Sequence, residues 1–291
     1  MKTIYLILLS VLSGLLLSIS WPVNGFTPLI FVALVPLLYV QQIMGDTNRK
    51  GIFWLSWLTF LIWNVLTTWW IWYSTAIGSI AAFVLNALFT AIVFYLYHLS
   101  KKWFYKNKKG SWILIFYWVS WEYFHLNWDL SWSCLNLGNI FSSNPKIIQW
   151  YEYTGTFGGA VWVLLINILI FNIIKKVIEK REVKSSIVNI AILILVVIIP
   201  IFYSVSKDLD VIVVQPNIDP YEEQYSLSPD SILSRNLSLA LPLVDENTRY
   251  IVMPESALQE DIWEGAFNNS FTIQRLYNKV REYNNLNIIT G

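Results

Sequence analysis

Long apolar stretches separated by short polar turns dominate the first two-thirds of the chain. A helix needs about 20 apolar residues to cross the hydrocarbon core of a bilayer. By this criterion the pattern predicts seven helical spans, at residues 4–20, 26–43, 52–73, 76–99, 111–126, 157–178 and 186–206. The fifth is short, and its aromatic continuation through Trp128 and Trp132 either completes the crossing or lies along the interface. Residues 1–207 are therefore predicted to be an α-helical polytopic membrane domain.

The pattern changes after residue 208. A β-branched run at 209–215 ends in Pro-Asn, and two further strand-like runs occupy 250–253 and 287–290. Residues 229–243 and 269–284 lie between these runs and have helical spacing. The order strand–helix–strand–helix–strand is the opening of an α/β layered domain. Because no helix follows the last strand to cover it, we expect residues 208–291 to be the N-terminal part of a larger domain.

Composition and charge support this division. The chain is 56% hydrophobic and 13% charged, with a mean hydropathy of +0.50, whereas an ordinary soluble domain is about 25% charged. Residues 1–207 contain 15 Lys/Arg and 6 Asp/Glu, and residues 208–291 contain 5 and 13. Such asymmetry indicates two environments. The basic residues form short clusters between apolar runs, which argues against nucleic acid as a partner.

Loop charge predicts the orientation, because Lys and Arg are retained on the cytoplasmic side. With the N-terminus inside, the cytoplasmic segments carry 13 basic residues and the three external loops carry one, Lys146. The C-terminal segment is then external. A cleaved signal peptide, beginning at Lys2 and ending near residues 18–20, is an open alternative. Its removal would leave the orientation of the remainder unchanged.

The chemically informative motif follows the second predicted strand, where residues 253–257 read Met-Pro-Glu-Ser-Ala. Glu255 comes just past the C-terminal end of a parallel strand, where α/β folds build active sites. A Pro-Glu pair after a strand is also typical of a helix N-terminus, where the helix dipole favours an acid. The residues alone leave both interpretations open.

Four segments resemble the apolipoprotein N-acyltransferase family, in the order of that family. Residues 213–218, Val-Val-Gln-Pro-Asn-Ile, are similar to its first nitrilase-like strand and turn. Residues 251–257 resemble its Trp-Pro-Glu-Ser-Ala segment, with Met253 in place of the usual Trp. Residues 22–38 resemble its first helical hairpin, and residues 122–125 its Glu-x-x-Arg stretch, with His125 departing from the Arg.

The resemblance implies a multi-pass enzyme of the bacterial inner (cytoplasmic) membrane, with a periplasmic nitrilase-like (carbon–nitrogen hydrolase) domain built as an αββα sandwich. Members transfer a fatty acyl chain from a phospholipid to the N-terminal diacylglyceryl-cysteine of lipoproteins, through a thioester. The family uses a Glu-Lys-Cys triad and no cofactor or metal. Glu255 matches the catalytic Glu, and we expect the Lys and Cys beyond Gly291. The implied partners are the phospholipid donor, the diacylglyceryl-apolipoprotein acceptor and membrane lipids.

Tyr225 and Glu122 are two weaker candidates for substrate binding. Tyr225 falls close to a family aromatic in the loop after the first strand, one position later and as Tyr instead of Trp. Glu122 is an acid at the end of a predicted span, and intramembrane acids are functional candidates by default. It also has His125 and the interface as structural partners.

The other reactive side chains are explained by ordinary structural roles. Cys134 reads as a small residue near the membrane face, and Lys279 as a solvated helix residue. Ser256 lacks the Gly-x-Ser-x-Gly context of a nucleophile elbow. His98 and His125 are too isolated to predict a metal site. Without a plausible nucleophile, residues 1–291 by themselves are predicted to lack acyltransferase activity.

Two alternatives remain at the level of sequence. One is another membrane-tethered amidase or acyltransferase of the nitrilase superfamily. The other is a degenerate, non-catalytic membrane protein with an external binding domain.

Overall fold

The chain divides into two compact units, Met1–Lys207 and Asp208–Gly291. They are seen in a computed structural model, which describes residues 3–21, 25–179, 183–205, 210–218, 226–254, 257–258, 270–283 and 286–290. Each unit has its own cluster of buried apolar side chains.

Helices lie at all seven predicted span positions of the first unit. They are α1 (Thr3–Ser20), α2 (Ile30–Ala33), α3 (Val35–Asp46), α4 (Ile52–Thr68), α5 (Ala76–Tyr105), α6 (Ile113–Leu126), α7 (Tyr151–Ile178) and α8 (Val183–Val205). The helices α2 and α3 share the second predicted span. Three 3₁₀ turns, Ser133–Leu135, Leu137–Phe141 and Pro145–Ile147, follow α6. The residues 132–142, which include the first two of these turns and are predicted to face the external side, are called the external loop below.

Among the residues that the structure describes, five helical segments are long and apolar enough to cross a membrane. They are Thr3–Ser20, Thr27–Asp46, Ile52–Tyr73, Ala76–Tyr105 and Tyr151–Ile178. The helix α6 has 14 residues, which gives about 21 Å at 1.5 Å per residue, less than the ~30 Å of a hydrocarbon core. The membrane character of the first unit is confirmed, and the total of seven spans stays a prediction.

Small and polar residues let the helices approach closely. A Cβ at Gly14 of α1 would lie 2.7 Å from the carbonyl oxygen of Thr59 in α4. The Thr59 hydroxyl in turn donates to the Ser10 carbonyl at 2.9 Å. Between α4 and α5, Asn86 donates its amide to Asn64 at 2.7 Å. Such contacts are the usual means of joining helices in a membrane, where lipid tails are as apolar as the side chains.

Asn167 of α7 bridges the break between α2 and α3. Its Nδ2 donates to the Ile30 carbonyl at 2.8 Å, and its Oδ1 accepts from the Leu34 amide at 2.9 Å. An uninterrupted helix would pair those two backbone groups with each other. The side chain therefore satisfies polar backbone groups that would be costly to leave unpaired in an apolar environment.

The second unit contains a parallel sheet with the order β1-β2-β3. Its elements are β1 (Asp210–Val213), α9 (Pro229–Ala240), β2 (Thr248–Val252), α10 (Phe271–Val280) and β3 (Asn287–Ile289). Ile251 of β2 is paired with Ile212 on one side and Ile288 on the other. The predicted alternation of strands and helices is thus present in the described residues.

Capping and packing explain the two helices of this unit. The hydroxyls of Ser228 and Ser270 each accept a backbone N–H of the first turn, at 3.2 Å, as N-cap residues do. Arg275 of α10 donates to Ser234 of α9 at 3.1 Å and forms an ion pair with Asp230. The apolar core comprises Val214, Leu233, Leu237, Ala240, Ile251, Met253, Ala257 and Leu276.

Candidate functional site

Glu122 is buried inside the membrane unit, with 3% of its surface exposed. Its Oε1 accepts the indole N–H of Trp118, one turn earlier on α6, at 3.0 Å. The same oxygen accepts the backbone N–H of Leu137 at 2.7 Å. Because Leu137 belongs to the external loop, Glu122 ties that loop to the helix.

A small cavity adjoins the side chain of Glu122. We call it the Glu122 cavity; it is lined by Trp63, Asn86, Thr90, Trp118, Trp121, Glu122, His125, Trp132, Leu135 and Asn136. The ring of His125 lies 4.8 Å from that of Trp121, measured between centroids. An acid, an imidazole and several indoles are thus gathered from α4, α6 and the external loop, with two polar residues of α5 beside them.

The external loop packs tightly onto the start of α7. A Cβ at Gly138 would lie 1.9 Å from the Thr156 carbonyl oxygen, and Gly138 also accepts the Tyr151 hydroxyl at 3.0 Å. Only a glycine fits this approach. The loop is therefore held from α6 by Glu122 and from α7 by backbone contact.

Cys134 lies in the external loop and is exposed. Nevertheless, partial burial of the sulfur raises the pKa of its thiol. The thiolate is the nucleophilic form of cysteine, so this environment does not activate the side chain. The interpretation of Cys134 as a small residue of a loop agrees with these properties.

The predicted catalytic residue Glu255 lies outside the described residues, as do Ser256 and Tyr225. The strand that leads to Glu255 is described, and β2 is flanked on both sides by parallel neighbours. Pairing continues past the strand, because the Met253 amide donates to the Ile289 carbonyl at 2.8 Å. The role of Glu255 stays a prediction.

The residues after β1 adopt a turn near the same end of the sheet. Asn217 has a φ of 50°, a left-handed conformation that Asn tolerates better than most residues. Its carbonyl accepts a long hydrogen bond of 3.5 Å from Arg235 of α9. The Gln-Pro-Asn motif thus follows the carboxyl end of one strand, and the Pro-Glu motif follows the carboxyl end of its neighbour.

The remaining candidates have no catalytic neighbours among the residues that the structure describes. Lys279 is exposed on α10. His98 is buried in α5 and contacts the Gln41 amide at 3.1 Å. Among the residues that the structure describes, no group of three or more His, Cys, Asp or Glu side chains is arranged to hold a metal ion.

Lys101 lies just beyond the predicted span 76–99, in the basic cluster 101–109, and is nevertheless buried. The helix α5 continues to Tyr105 instead of ending near residue 99, and Lys101 is 1% exposed. Its ammonium donates to Gln41 at 2.8 Å and to Gln42 at 2.9 Å. The sequence does show two adjacent glutamines, Gln41 and Gln42, near the end of an apolar span. Buried polar groups in a membrane need partners, so this pair indicates a contact with another polar side chain such as Lys101.

An open apolar groove of about 580 Å³ runs between α7 and α8. Its walls include Phe157, Trp162, Leu195 and Ile199, and Trp150 lies near the start of α7. A groove of this composition suits a hydrocarbon chain, since it offers almost no polar group to satisfy.

Comparison with known proteins identifies the family. The profile of the apolipoprotein N-acyltransferase N-terminal domain matches residues 13–169. The chain is similar to the apolipoprotein N-acyltransferase of Chlorobaculum tepidum, with 29% identity over 272 residues, covering 86% of this chain and 49% of the relative. It is also similar to that of Geobacter metallireducens, with 25% identity over 280 residues, covering 86% and 51%.

The chain spans about half the length of these curated relatives. The matched profile covers most of the membrane unit, including Glu122 and the external loop, and it ends before α8. The resemblance of the four sequence motifs is thereby confirmed at the level of the family. The chain belongs to the apolipoprotein N-acyltransferase family.

Proposed function

We propose that the whole protein transfers a fatty acyl chain from a phospholipid to the N-terminal diacylglyceryl-cysteine of lipoproteins. We further propose that residues 208–291 begin its nitrilase-like catalytic domain. The observation that carries the proposal is the family membership of the membrane unit, combined with a Pro-Glu motif after the central described strand of a parallel sheet. Parallel sheets place their sites at the carboxyl ends of the strands.

In the proposed reaction Glu255 is the general base. Its carboxylate takes the proton of the family's cysteine thiol, and the thiolate attacks the ester carbonyl of the phospholipid. The ester C–O bond breaks, and the proton passes from Glu255 to the departing lysophospholipid oxygen. The α-amine of the acceptor then attacks the thioester. Glu255 takes the amine proton and returns it to the cysteine sulfur as the C–S bond breaks and the amide forms. A lysine stabilises the oxyanion in both halves.

The triad lysine and cysteine are proposed to lie outside residues 1–291. None of the family motifs that would supply them matches a segment here, and Cys134 has a raised thiol pKa in a loop of the membrane unit. These 291 residues alone are therefore predicted not to transfer acyl groups.

The proposed setting is the bacterial inner membrane, with seven spans, a cytoplasmic N-terminus and a periplasmic catalytic unit. The excess of Lys and Arg in the predicted cytoplasmic segments supports this orientation. The groove between α7 and α8 offers an apolar surface for an acyl chain. Tyr225 is proposed as a substrate contact on the resemblance alone. For Glu122 the burial favours an indirect contribution, through the external loop that it holds.

The decisive test is Glu255→Gln in the full-length protein, reconstituted with phospholipid. The amide keeps the size of the side chain but cannot take a proton, so thioester formation should slow by about 10²–10⁴-fold, the usual contribution of a general base. The acyl-enzyme is measured by intact mass, and its thioester by cleavage with hydroxylamine.

Glu246→Gln is the matched control, because Glu246 is an exposed acid in the turn just before β2. It should form the acyl-enzyme at the rate of the unmodified protein. An unchanged rate in Glu255→Gln, with an unchanged melting temperature, would remove Glu255 from the role of base. Release of free fatty acid in place of acyl transfer to a diacylglyceryl peptide would favour a hydrolase of the same superfamily.

A further inference from the structure

Several residues that line the Glu122 cavity have buried polar atoms without a hydrogen-bond partner within the described part of the chain. They are Glu122 Oε2, both ring nitrogens of His125, and the indole nitrogens of Trp63 and Trp132. The backbone of Trp132 lies within hydrogen-bonding reach of the His125 ring, although no hydrogen bond of ordinary geometry joins them. Leaving such groups unpaired in an apolar interior costs several kcal/mol for each group.

The size of the cavity limits what can occupy it. Its volume is about 20 Å³, whereas one water needs roughly 10–15 Å³ measured in this way. Any organic ligand is excluded by size. A buried water also needs two to four polar partners, and this cavity supplies a carboxylate oxygen as acceptor and indole N–H groups as donors.

Glu122 and His125 are three residues apart on α6, so their side chains lie on neighbouring parts of the same helix face. Both line the cavity, and both are 3% exposed. The other oxygen of Glu122 already accepts two hydrogen bonds, from Trp118 and Leu137. One polar molecule between Oε2 and the imidazole would complete the hydrogen bonding of both groups.

We propose that the Glu122 cavity is a binding site for a single water molecule, which bridges Glu122 Oε2 to His125. An indole N–H of Trp63 or Trp132 completes its coordination. The water fixes the carboxylate in the orientation that accepts the Leu137 amide, and thereby clamps the external loop to α6. This site is independent of the acyl-transfer proposal, because it depends only on contacts within the membrane unit.

Hydrogen exchange of the Leu137 amide in the full chain reports on the clamp. Glu122→Leu removes the acceptor and should accelerate exchange by about tenfold or more, since each 1.4 kcal/mol lost corresponds to a factor of ten. His125→Phe keeps an aromatic ring beside Trp121 but removes the nitrogens. It leaves Glu122 and its hydrogen bond from the Leu137 amide in place, yet it should also accelerate exchange, by about threefold or more.

The double variant Glu122→Leu/His125→Phe distinguishes a water bridge between the two residues from two independent effects on Leu137 exchange. If the water couples the residues, exchange in the double variant is no faster than in Glu122→Leu alone. Asp129→Leu, which removes an exposed acid nearby, should leave the Leu137 rate unchanged. The proposed bridge would be refuted by an unchanged Leu137 exchange rate in His125→Phe. It would also be refuted if the accelerations of the two single variants multiply in the double variant.

An experimental density map that shows ordered water provides the direct test. The expected result is a peak within hydrogen-bond distance, about 3.2 Å or less, of both Glu122 Oε2 and a ring nitrogen of His125. A dry cavity, or a direct contact between the carboxylate and the imidazole, refutes the proposal.

Discussion

Trp162 of α7 donates its indole N–H to the backbone carbonyl of Val196 in α8, at 2.7 Å. Val196 is four residues before Pro200, which has no N–H to donate and lies inside the helix. The indole therefore satisfies the carbonyl that proline leaves unpaired. In a bilayer such carbonyls need a partner from a neighbouring helix, so this contact explains how α8 tolerates a proline.

The pairing of Trp162 with Val196 predicts a dependence on Pro200. Trp162→Phe should lower the free energy of unfolding by about 1–3 kcal/mol for the unpaired carbonyl, in addition to the loss of packing. In a Pro200→Ala background, the new N–H at position 200 can bond the Val196 carbonyl. In that background Trp162→Phe should lower the free energy of unfolding by about 1 kcal/mol less.

Thermal unfolding in detergent micelles measures this cycle. Trp54→Phe is the control, because Trp54 is 64% exposed and should show a small change in both backgrounds. Equal losses from Trp162→Phe with and without Pro200 would show that the indole acts by packing alone.

The buried ammonium of Lys101 is predicted to join α3 to α5. Lys101→Met preserves the length of the side chain but leaves the Gln42 Oε1 acceptor without its donor and weakens the bonding of Gln41 Oε1. We expect a loss of about 2 kcal/mol or more in unfolding free energy, since each orphaned buried acceptor costs about 1–3 kcal/mol. The measurement is the melting temperature of the full chain.

Lys108→Met supplies the comparison for Lys101. Lys108 is an exposed lysine in the same basic cluster, and surface substitutions usually change stability by no more than about 0.5 kcal/mol. If both variants melt at the same temperature, the buried contacts of Lys101 contribute nothing measurable.

Cys134 provides a test of the predicted orientation. A membrane-impermeant maleimide should label it from the periplasmic side without permeabilisation, because the external loop is predicted to face that side. Since burial raises the thiol pKa, the thiolate fraction is small at neutral pH. Labelling should therefore accelerate with rising pH and continue to do so above the ordinary thiol range.

The control for Cys134 is Lys108→Cys in a Cys134→Ser background. Lys108 is predicted to be cytoplasmic, so that variant should react only after permeabilisation. The reverse pattern of accessibility would invert the proposed topology.

Sequence alone is enough to predict the helical membrane character, the change to an α/β pattern after residue 208, and the family. Apolar runs have to be long enough to cross a bilayer, and α1, α3, α4, α5 and α7 lie where those runs are. Strand and helix periods are equally local, so β1, α9, β2, α10 and β3 follow the predicted order. The motif around Glu255 can be recognised in the sequence because its residues are contiguous.

The hydrogen-bonding roles of the buried polar residues are visible in the tertiary structure and cannot be derived from the sequence. Lys101 reads as a loop cation until Gln41 and Gln42 are brought to it from α3. Asn167 has no evident role until α2 is placed beside it, since its partner Ile30 is 137 residues away in the chain. Glu122 likewise gains its function from the Leu137 amide of a later loop. Hydropathy reports how much polarity a segment carries, but hydrogen bonding between distant segments determines how that polarity is satisfied.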